Sequence, residues 1–246
     1  MRYPGCLLTL VLVVFAGATQ AAEPDWRAYE ALLQRYVAPG TKAGVALNLV
    51  DYAGLAGDPA FADVVRELAA FPLENLASRA ESLAFHINAY NILALKMVVD
   101  HWPLDSIRDV GNVFSPVWKR AAGSLGGEPV TLDDIEHARL REMGDPRMHF
   151  AIVCASVSCP DLRTEAYRAG ELDTQLDQQV ADFLNNPGKG LRVTDGRATI
   201  SKIFKWFDED FESAGGVAAF IRRYHSLPAG VKIRPAIDYN WSVNAR

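Results

Sequence analysis

The chain has 246 residues, half of them apolar, and a formal net charge of −5. The charges are spread without basic clusters, which argues against nucleic-acid binding because the phosphate backbone selects lysine and arginine patches. Residues 23–246 are long enough to bury a sizeable core, and their ordinary globular composition favours a single domain.

The N-terminus has the features of a secretory signal. Arg2 supplies a positive charge, residues 6–15 form a short apolar run, and small residues lead to Ala21 and Ala22. We expect residues 1–22 to be cleaved and the protein to be exported, as a periplasmic or secreted protein. A membrane anchor is the alternative, but a spanning helix needs about 20 apolar residues. No later stretch of that kind is free of charge, so we expect no integral membrane protein after cleavage.

Helices dominate the predicted first half. Helix N-caps are predicted at Asp25, Asp58, Ser78 and Thr131. The third belongs to a capping box with Glu81, and residues 82–99 that follow are apolar nearly all round. We therefore predict a long buried central helix that ends before Pro103, because proline cannot continue a helix.

The second half mixes strands with helices. The predicted elements are an interior strand at 149–154, a helix at about 171–184, a hairpin at 191–200, a helix after Ser201, a helix at 216–224 and a final strand within 231–243. The hairpin is the clearest, because Asp195-Gly196 is typical of a tight turn. Since strands and helices do not alternate regularly, the pattern favours an α+β fold, with a helical first half and then a mainly antiparallel sheet with further helices.

Two asparagines on the central helix are the first candidate site residues. A buried amide costs free energy unless it is hydrogen-bonded, so Asn88 and Asn91 need partners. One interpretation is that these amides tie neighbouring loops to the helix. The other is that Asn88 orients a catalytic group or donates a hydrogen bond to a developing oxyanion.

The loop after the predicted strand holds two cysteines, Cys154 and Cys159. Cys154 is a candidate nucleophile, which needs a base to form its thiolate. His149 is nearest in sequence, but an extended strand would separate the two by roughly 16 Å and point them to opposite faces. His137 is therefore an alternative base. A disulfide between the cysteines, a zinc site and an inert core cysteine also stay open.

Two further groups are weaker candidates. Glu136 and His137 are adjacent on the helix that follows Thr131, although an exposed pair of this kind is usually a solvated face. The aromatic residues that could line a pocket are Trp206, Phe207, Phe211 and Trp241. Aromatic residues at helical spacing are more often core.

Four segments together resemble a known family. They are Phe85-His-Ile-Asn88-Ala-Tyr-Asn91, Leu132-Asp-Asp-Ile-Glu136-His137, Asp145-Pro-Arg-Met-His149-Phe-Ala-Ile-Val-Cys154-Ala-Ser-Val-Ser-Cys159-Pro, and Ile203-Phe-Lys-Trp206-Phe-Asp-Glu-Asp-Phe211. In these motifs the chain is similar to the domain of unknown function 547, from about residue 80 to the segment Asp238-Tyr-Asn-Trp241. Bacterial members are often exported, in agreement with the signal features.

The resemblance implies a set of characteristic positions: Asn88, Tyr90, Asn91, His149, Cys154 and Trp206. The second cysteine is often serine in intracellular relatives, which favours Cys154 as a functional thiol over a disulfide common to the family. A papain-like or transglutaminase-like fold is then plausible, although the chain order Asn, His, Cys is not that of papain.

The leading hypothesis is a cysteine-dependent hydrolase or acyl transferase that acts on amide or peptide bonds of an envelope peptide or protein. Cys154 would be the nucleophile, with His149 or His137 as the base, Glu136 beside them, and Asn88 as the orienting group. The expected binding residues are Tyr90, Asn91, Ser156 and Trp206. We expect no cofactor and no metal. The competing hypothesis is a non-catalytic periplasmic binding or interaction module.

Overall fold

A computed structural model describes residues 24–112 and 114–246. The predicted signal and its cleavage site lie outside the described residues. Eight α-helices are described: α1 Arg27–Tyr36, α2 Tyr52–Ala56, α3 Pro59–Ala70, α4 Arg79–Val99, α5 Leu132–Ile135, α6 Leu172–Leu184, α7 Ile203–Trp206 and α8 Val217–Tyr224. Short 3₁₀ segments are Leu73–Asn75, Ile107–Val110, Val117–Lys119, Arg141–Met143, Pro146–Phe150 and Asp208–Ala214.

The predicted central helix is α4, and it begins as expected. The Ser78 hydroxyl accepts a hydrogen bond from the Glu81 backbone, and the Glu81 carboxylate accepts one from the Ser78 backbone in return. The helix is buried on every face over most of its length, so the surrounding elements pack around it. By length and composition it could also cross a membrane, but 83% of its most apolar window is buried inside the fold.

The strands form three small sheets instead of one. The described strands are β1 Val37–Lys42, β2 Val45–Val50, β3 Ala121–Leu125, β4 Glu128–Thr131, β5 Leu191–Thr194, β6 Arg197–Ile200 and β7 Lys232–Pro235. β1–β2 and β3–β4 are separate antiparallel pairs, while β5, β6 and β7 form one sheet in which β7 runs parallel to β6. The α+β class is confirmed, and so is the predicted hairpin at 191–200, whose turn residues Asp195 and Gly196 both have positive φ.

The predicted strand at 149–154 is wrong. Asp145 caps a 3₁₀ helix, Pro146–Phe150, with proline at its first position, and residues 151–154 continue as an irregular loop. The Asp-Pro pair was the local signal for a helix start, and the apolar run that follows it is buried for another reason. Met148 belongs to the core around α4, whereas Phe150 belongs to a second core formed by α6, β5, β6 and α8. His149 therefore lies where the two cores meet.

Candidate functional site

A cavity of about 270 Å³ opens beside His149. Its lining residues are Tyr90, Trp118, Asp133, Glu136, His137, His149, Ile152, Cys154, Cys159, Pro160, Ile203, Trp206, Phe207, Tyr239 and Trp241. The lining thus draws on the central helix, the helix after Thr131, the cysteine loop, α7 and the C-terminal tail. Convergence of polar groups from separate elements on one concavity is typical of a ligand site.

The two cysteines in this lining form a disulfide, with the Sγ atoms of Cys154 and Cys159 2.05 Å apart. The possible disulfide weighed in the sequence is therefore present, and the free Cys154 thiol is not the form that the structure holds. Cys154 is half-buried and Cys159 is buried. The Tyr239 hydroxyl lies 3.4 Å from the Cys154 sulfur and 3.2 Å from the Cys159 sulfur, and the Ser156 hydroxyl lies 3.4 Å from the former.

The central helix positions the segment that joins His149 to Cys154. The Asn91 side chain donates to the Ala151 carbonyl at 3.0 Å and accepts from the Val153 backbone N–H at 2.8 Å. The Ala151 carbonyl and the Val153 N–H are therefore hydrogen-bonded to a side chain, so this segment does not need a neighbouring strand. The geometric objection to a His149–Cys154 pair assumed a strand; the strand is absent and both residues line the same cavity, while the hydrogen bonds of the Cys154 sulfur go to Ser156 and Tyr239.

Buried His149 is hydrogen-bonded to a partly exposed ion pair. Its Nε2 lies 2.6 Å from Oδ2 of Asp210, and its ring stacks on Phe207 with 4.1 Å between ring centroids. Arg141 holds the same carboxylate with two hydrogen bonds of 2.7 Å. The bidentate pair fixes the orientation of Asp210, and Asp210 in turn fixes the imidazole. Among the described residues, no hydrogen bond engages the other ring nitrogen of His149.

The charges of this network follow from burial and pairing. Burial lowers the pKa of His149 and outweighs its hydrogen bond to Asp210, so the imidazole is neutral at neutral pH. Burial alone would raise the pKa of Asp210, but the hydrogen bonds from His149 and Arg141 more than offset it and hold that pKa below its usual range. The pair therefore combines a neutral imidazole with a carboxylate, the arrangement of a general base and its orienting group.

A second carboxyl group of the site lies on an unusual helical turn. After α5 the chain makes one turn of π-helix, Glu136–Leu140, a distortion that is frequent at functional sites. Glu136 is 7% exposed, and burial raises its pKa to about 7. The Tyr90 hydroxyl donates a hydrogen bond of 3.3 Å to the Glu136 carboxylate. Glu136 therefore titrates close to neutral pH, where a proton-transfer group is most effective.

Much of the remaining lining of the cavity is aromatic. We call Trp118, Trp206, Tyr239 and Trp241 the aromatic cluster; its rings lie 4.5–5.8 Å from one another in pairs. The C-terminal tail brings two of these rings to the cysteine loop, because the backbone N–H groups of Val157 and Ser158 donate to tail carbonyls. Trp206 remains 44% exposed, so it is not a core residue.

Residues 73–184 match the model of a family described as "Protein of unknown function, DUF547". This segment belongs to the DUF547 family. No curated protein and no solved structure matches the chain. The matched DUF547 segment includes the central helix, Glu136, His149 and both cysteines, whereas Asp210 and most of the aromatic cluster lie after it.

The DUF547 segment also contains the residue whose expected role the structure contradicts. Asn88 is 1% exposed and does not line the cavity. Its side chain donates to the Tyr167 carbonyl at 2.8 Å and accepts from the Tyr167 backbone N–H at 2.9 Å. Because Asn88 lies outside the cavity lining and its amide is held by the Tyr167 backbone, it is not placed to donate to an oxyanion at Cys154. The loop-tying interpretation of the two asparagines is the one observed.

The other candidates divide into lining and supporting residues. His137 lines the cavity, but its Nδ1 lies 3.0 Å from an Arg141 guanidinium nitrogen and its ring is partly exposed, so His149 is the better-placed base. Tyr90 and Trp206 line the cavity, while Asn91 and Ser156 support it from behind. Phe211 is fully buried in the second core.

Three residues of this DUF547 site had no role in the sequence analysis: Asp210, Tyr239 and Trp118. Asp210 and Tyr239 lie within the quoted motifs, but each is one polar residue among several. The pairing of Asp210 with His149 spans 61 positions and depends on how the two cores meet. No group of three or more histidine, cysteine or acidic side chains is arranged to hold a metal ion within residues 24–112 and 114–246.

Proposed function

We propose that the cavity is a thiol active site for hydrolysis or acyl transfer at amide or peptide bonds, and that the disulfide holds it inactive. The observation that carries the proposal is that Cys154 lines the same cavity as a neutral His149 oriented by a carboxylate. Those three groups have the chemistry of a nucleophile, a base and an orienting residue. An exported protein would meet amide bonds of envelope peptides or proteins.

Activation requires a dithiol reductant. One thiolate of the reductant attacks the sulfur of Cys154, the more exposed of the two cysteines, and Cys159 leaves as a thiolate that takes a proton. The second thiol of the reductant then attacks the reductant sulfur of the mixed disulfide, and Cys154 leaves as a thiolate. Two electrons pass to the cysteine pair, and the reductant becomes a disulfide.

In the reduced form, His149 takes the proton of the Cys154 thiol on Nδ1, the nitrogen that Asp210 leaves free. The sulfur attacks the substrate carbonyl, the carbon–nitrogen bond breaks, and the imidazolium returns the proton to the leaving amine. Water or an acceptor amine then attacks the thioester and regenerates the thiol. The Tyr239 and Ser156 hydroxyls both lie 3.4 Å from the sulfur. We assign the Tyr239 hydroxyl, which burial keeps protonated by raising its pKa, as the group that faces the oxyanion in place of Asn88.

The test is active-site acylation with p-nitrophenyl acetate. The parent chain is assayed oxidised, and again after reduction and removal of excess reductant; the Cys159→Ser variant keeps Cys154 free without any reductant. We expect a burst of one nitrophenolate per reduced chain, with the acetyl group on Cys154 in peptide mass spectra, and no burst from the oxidised chain or from Cys154→Ser. Acylation of reduced Cys154 no faster than that of a cysteine in a short peptide would contradict the proposal.

The competing function is a binding module with no chemistry. The disulfide is the observation that favours it, because a Cys154 sulfur bonded to Cys159 is not a nucleophile. In that case the cavity would bind its ligand equally well with the cysteines oxidised or replaced by serine, and the reduced chain would show no acetyl adduct. The same acylation experiment therefore separates the two functions.

A further inference from the structure

The cavity lining contains acidic side chains but neither lysine nor arginine among the described residues. Two guanidinium groups lie against lining rings: Arg141 over Phe207, with its Cζ 5.5 Å from the centroid, and Arg108 over Trp241, at 5.2 Å. The Asp210 carboxylate balances Arg141, and the His137 ring lies 3.6 Å from the Asp133 carboxylate. The carboxyl groups of the lining itself, those of Asp133 and Glu136, are the groups that can complement a positive ligand.

The aromatic cluster offers the matching surface. The face of an aromatic ring attracts a cation within about 6 Å of its centroid, and tryptophan does so best. The cluster already makes one such contact on its outer side, where Arg108 lies over Trp241 with its Cζ 5.2 Å from the ring centroid. Trp206, on the cavity side, is 44% exposed, and no arginine or lysine is found over its ring in the described chain.

The size of the cavity restricts what enters. Sites for drug-sized ligands enclose about 300–1,000 Å³, and this one is slightly smaller, at about 270 Å³. One side chain or a similar small group therefore fits, with the rest of a larger molecule outside.

We propose that the cavity recognises a primary alkylammonium group, such as a lysine side chain, with the carboxyl groups of Asp133 and Glu136 and the face of Trp206. The proposal names the substrate class of the thiol site and depends on the proposed function only for the acyl step. Binding of the ammonium group requires the cavity alone, so it occurs in the oxidised chain.

The test is calorimetric titration of the oxidised chain with Nα-acetyl-lysine amide. The matched probes are the norleucine amide, which lacks the charge, the glutamate amide, which reverses it, and N-acetylglucosamine, which tests sugar stacking. We expect the lysine amide to bind at least tenfold more tightly than each of the other three. Equal or tighter binding of any of them would overturn the proposal.

Two substitutions locate the binding. Trp206→Ala removes an exposed ring and Asp133→Asn removes one charge, so each is expected to weaken lysine-amide binding at least fivefold. Phe114→Ala, which removes a 98% exposed ring outside the cavity lining, is the control and leaves the affinity unchanged within twofold. An unchanged affinity in both cavity variants would also overturn the proposal. Because no nucleophile takes part, these results are independent of whether Cys154 can be acylated.

Discussion

The cavity has two walls of different construction. The acid–base wall consists of Glu136 and His149, which line the cavity, together with Asp210, which lies outside the lining and holds the His149 ring; their side chains are buried or partly buried and hydrogen-bonded. The aromatic wall is the cluster of Trp118, Trp206, Tyr239 and Trp241, which has few polar atoms and leaves Trp206 exposed. Pre-paired polar groups suit a reaction in which protons move, and exposed rings suit recognition. Reactivity and affinity should therefore respond to different substitutions.

The largest expected effect is on the acid–base wall. In Cys159→Ser protein, adding His149→Asn is expected to slow acylation of Cys154 by about 10²-fold or more, the usual contribution of a general base. Asp210→Asn should act in the same direction, because the imidazole loses its orienting charge. Asp208→Asn is the matched control, since Asp208 is exposed on the same 3₁₀ segment. If Cys154 were acylated at the parent rate in the His149→Asn protein, the division between the two walls would be contradicted.

Glu136→Gln tests the electrostatic part of the same wall through stability. Because burial raises the pKa of Glu136 from 4.5 to about 7, the folded chain keeps a proton that the unfolded chain releases, and stability falls as pH rises through this window. The cost at pH 8 is about 3 kcal/mol at 1.4 kcal/mol per pKa unit. Chemical denaturation should find the variant more stable than the parent at pH 8 and equal to it at pH 4. If the stability difference between the variant and the parent did not change with pH, ionisation of the Glu136 carboxyl group would not be its cause.

Asn91 and Asn88 separate support of the site from support of the fold. Each amide makes two hydrogen bonds to the backbone of a buried loop, so replacement of either by alanine should cost about 1–3 kcal/mol of unfolding free energy. Only Asn91 holds the segment between His149 and Cys154. Asn91→Ala is therefore expected to slow Cys154 acylation in the reduced chain, and Asn88→Ala is expected to leave it within twofold of the parent rate. If both substitutions slowed Cys154 acylation equally, Asn91 would have no role at the site beyond its support of the fold.

The smallest expected effect on reactivity comes from the aromatic wall. Trp206→Ala should leave the acylation rate with p-nitrophenyl acetate within twofold, because this acetyl donor carries no cation for the ring to bind. The ring packs on Tyr239 and Trp241, and within the described residues it makes no ring pair with His149. A tenfold loss of acylation, measured beside Phe114→Ala, would mean that the two walls act as one unit.

Local signals account for the parts of the fold that the sequence predicts well. The capping box at Ser78 and the turn at Asp195-Gly196 involve residues close in sequence, so their geometry follows from backbone chemistry. The apolar run after His149 predicts a strand, and the structure has a loop instead. A segment that is hydrogen-bonded to a buried amide is as apolar as an interior strand, so composition does not separate the two. The signal that could have corrected this prediction, Asp145-Pro146, was local as well.

The candidate site was predictable only in part. His149, Cys154, Glu136 and Trp206 were chosen for residue type and family resemblance, and all four line the cavity. The roles of Asn88 and Asp210 depend on contacts between distant elements, so residue type alone could not assign them. The pairing of Cys154 with Cys159 was one of several open alternatives, since spacing permits a disulfide without requiring it.

The central claim is that His149 activates Cys154, and the pH profile of thiol alkylation tests it most directly. Iodoacetamide is reacted with Cys159→Ser protein from pH 5 to 9, with and without His149→Asn, and the rate at Cys154 is followed by peptide mass spectrometry. The account predicts a rate that rises with a midpoint below pH 7 when His149 is present, and a midpoint near the ordinary cysteine pKa of about 8.5 when it is replaced. The same midpoint near 8.5 in both proteins would contradict the claim.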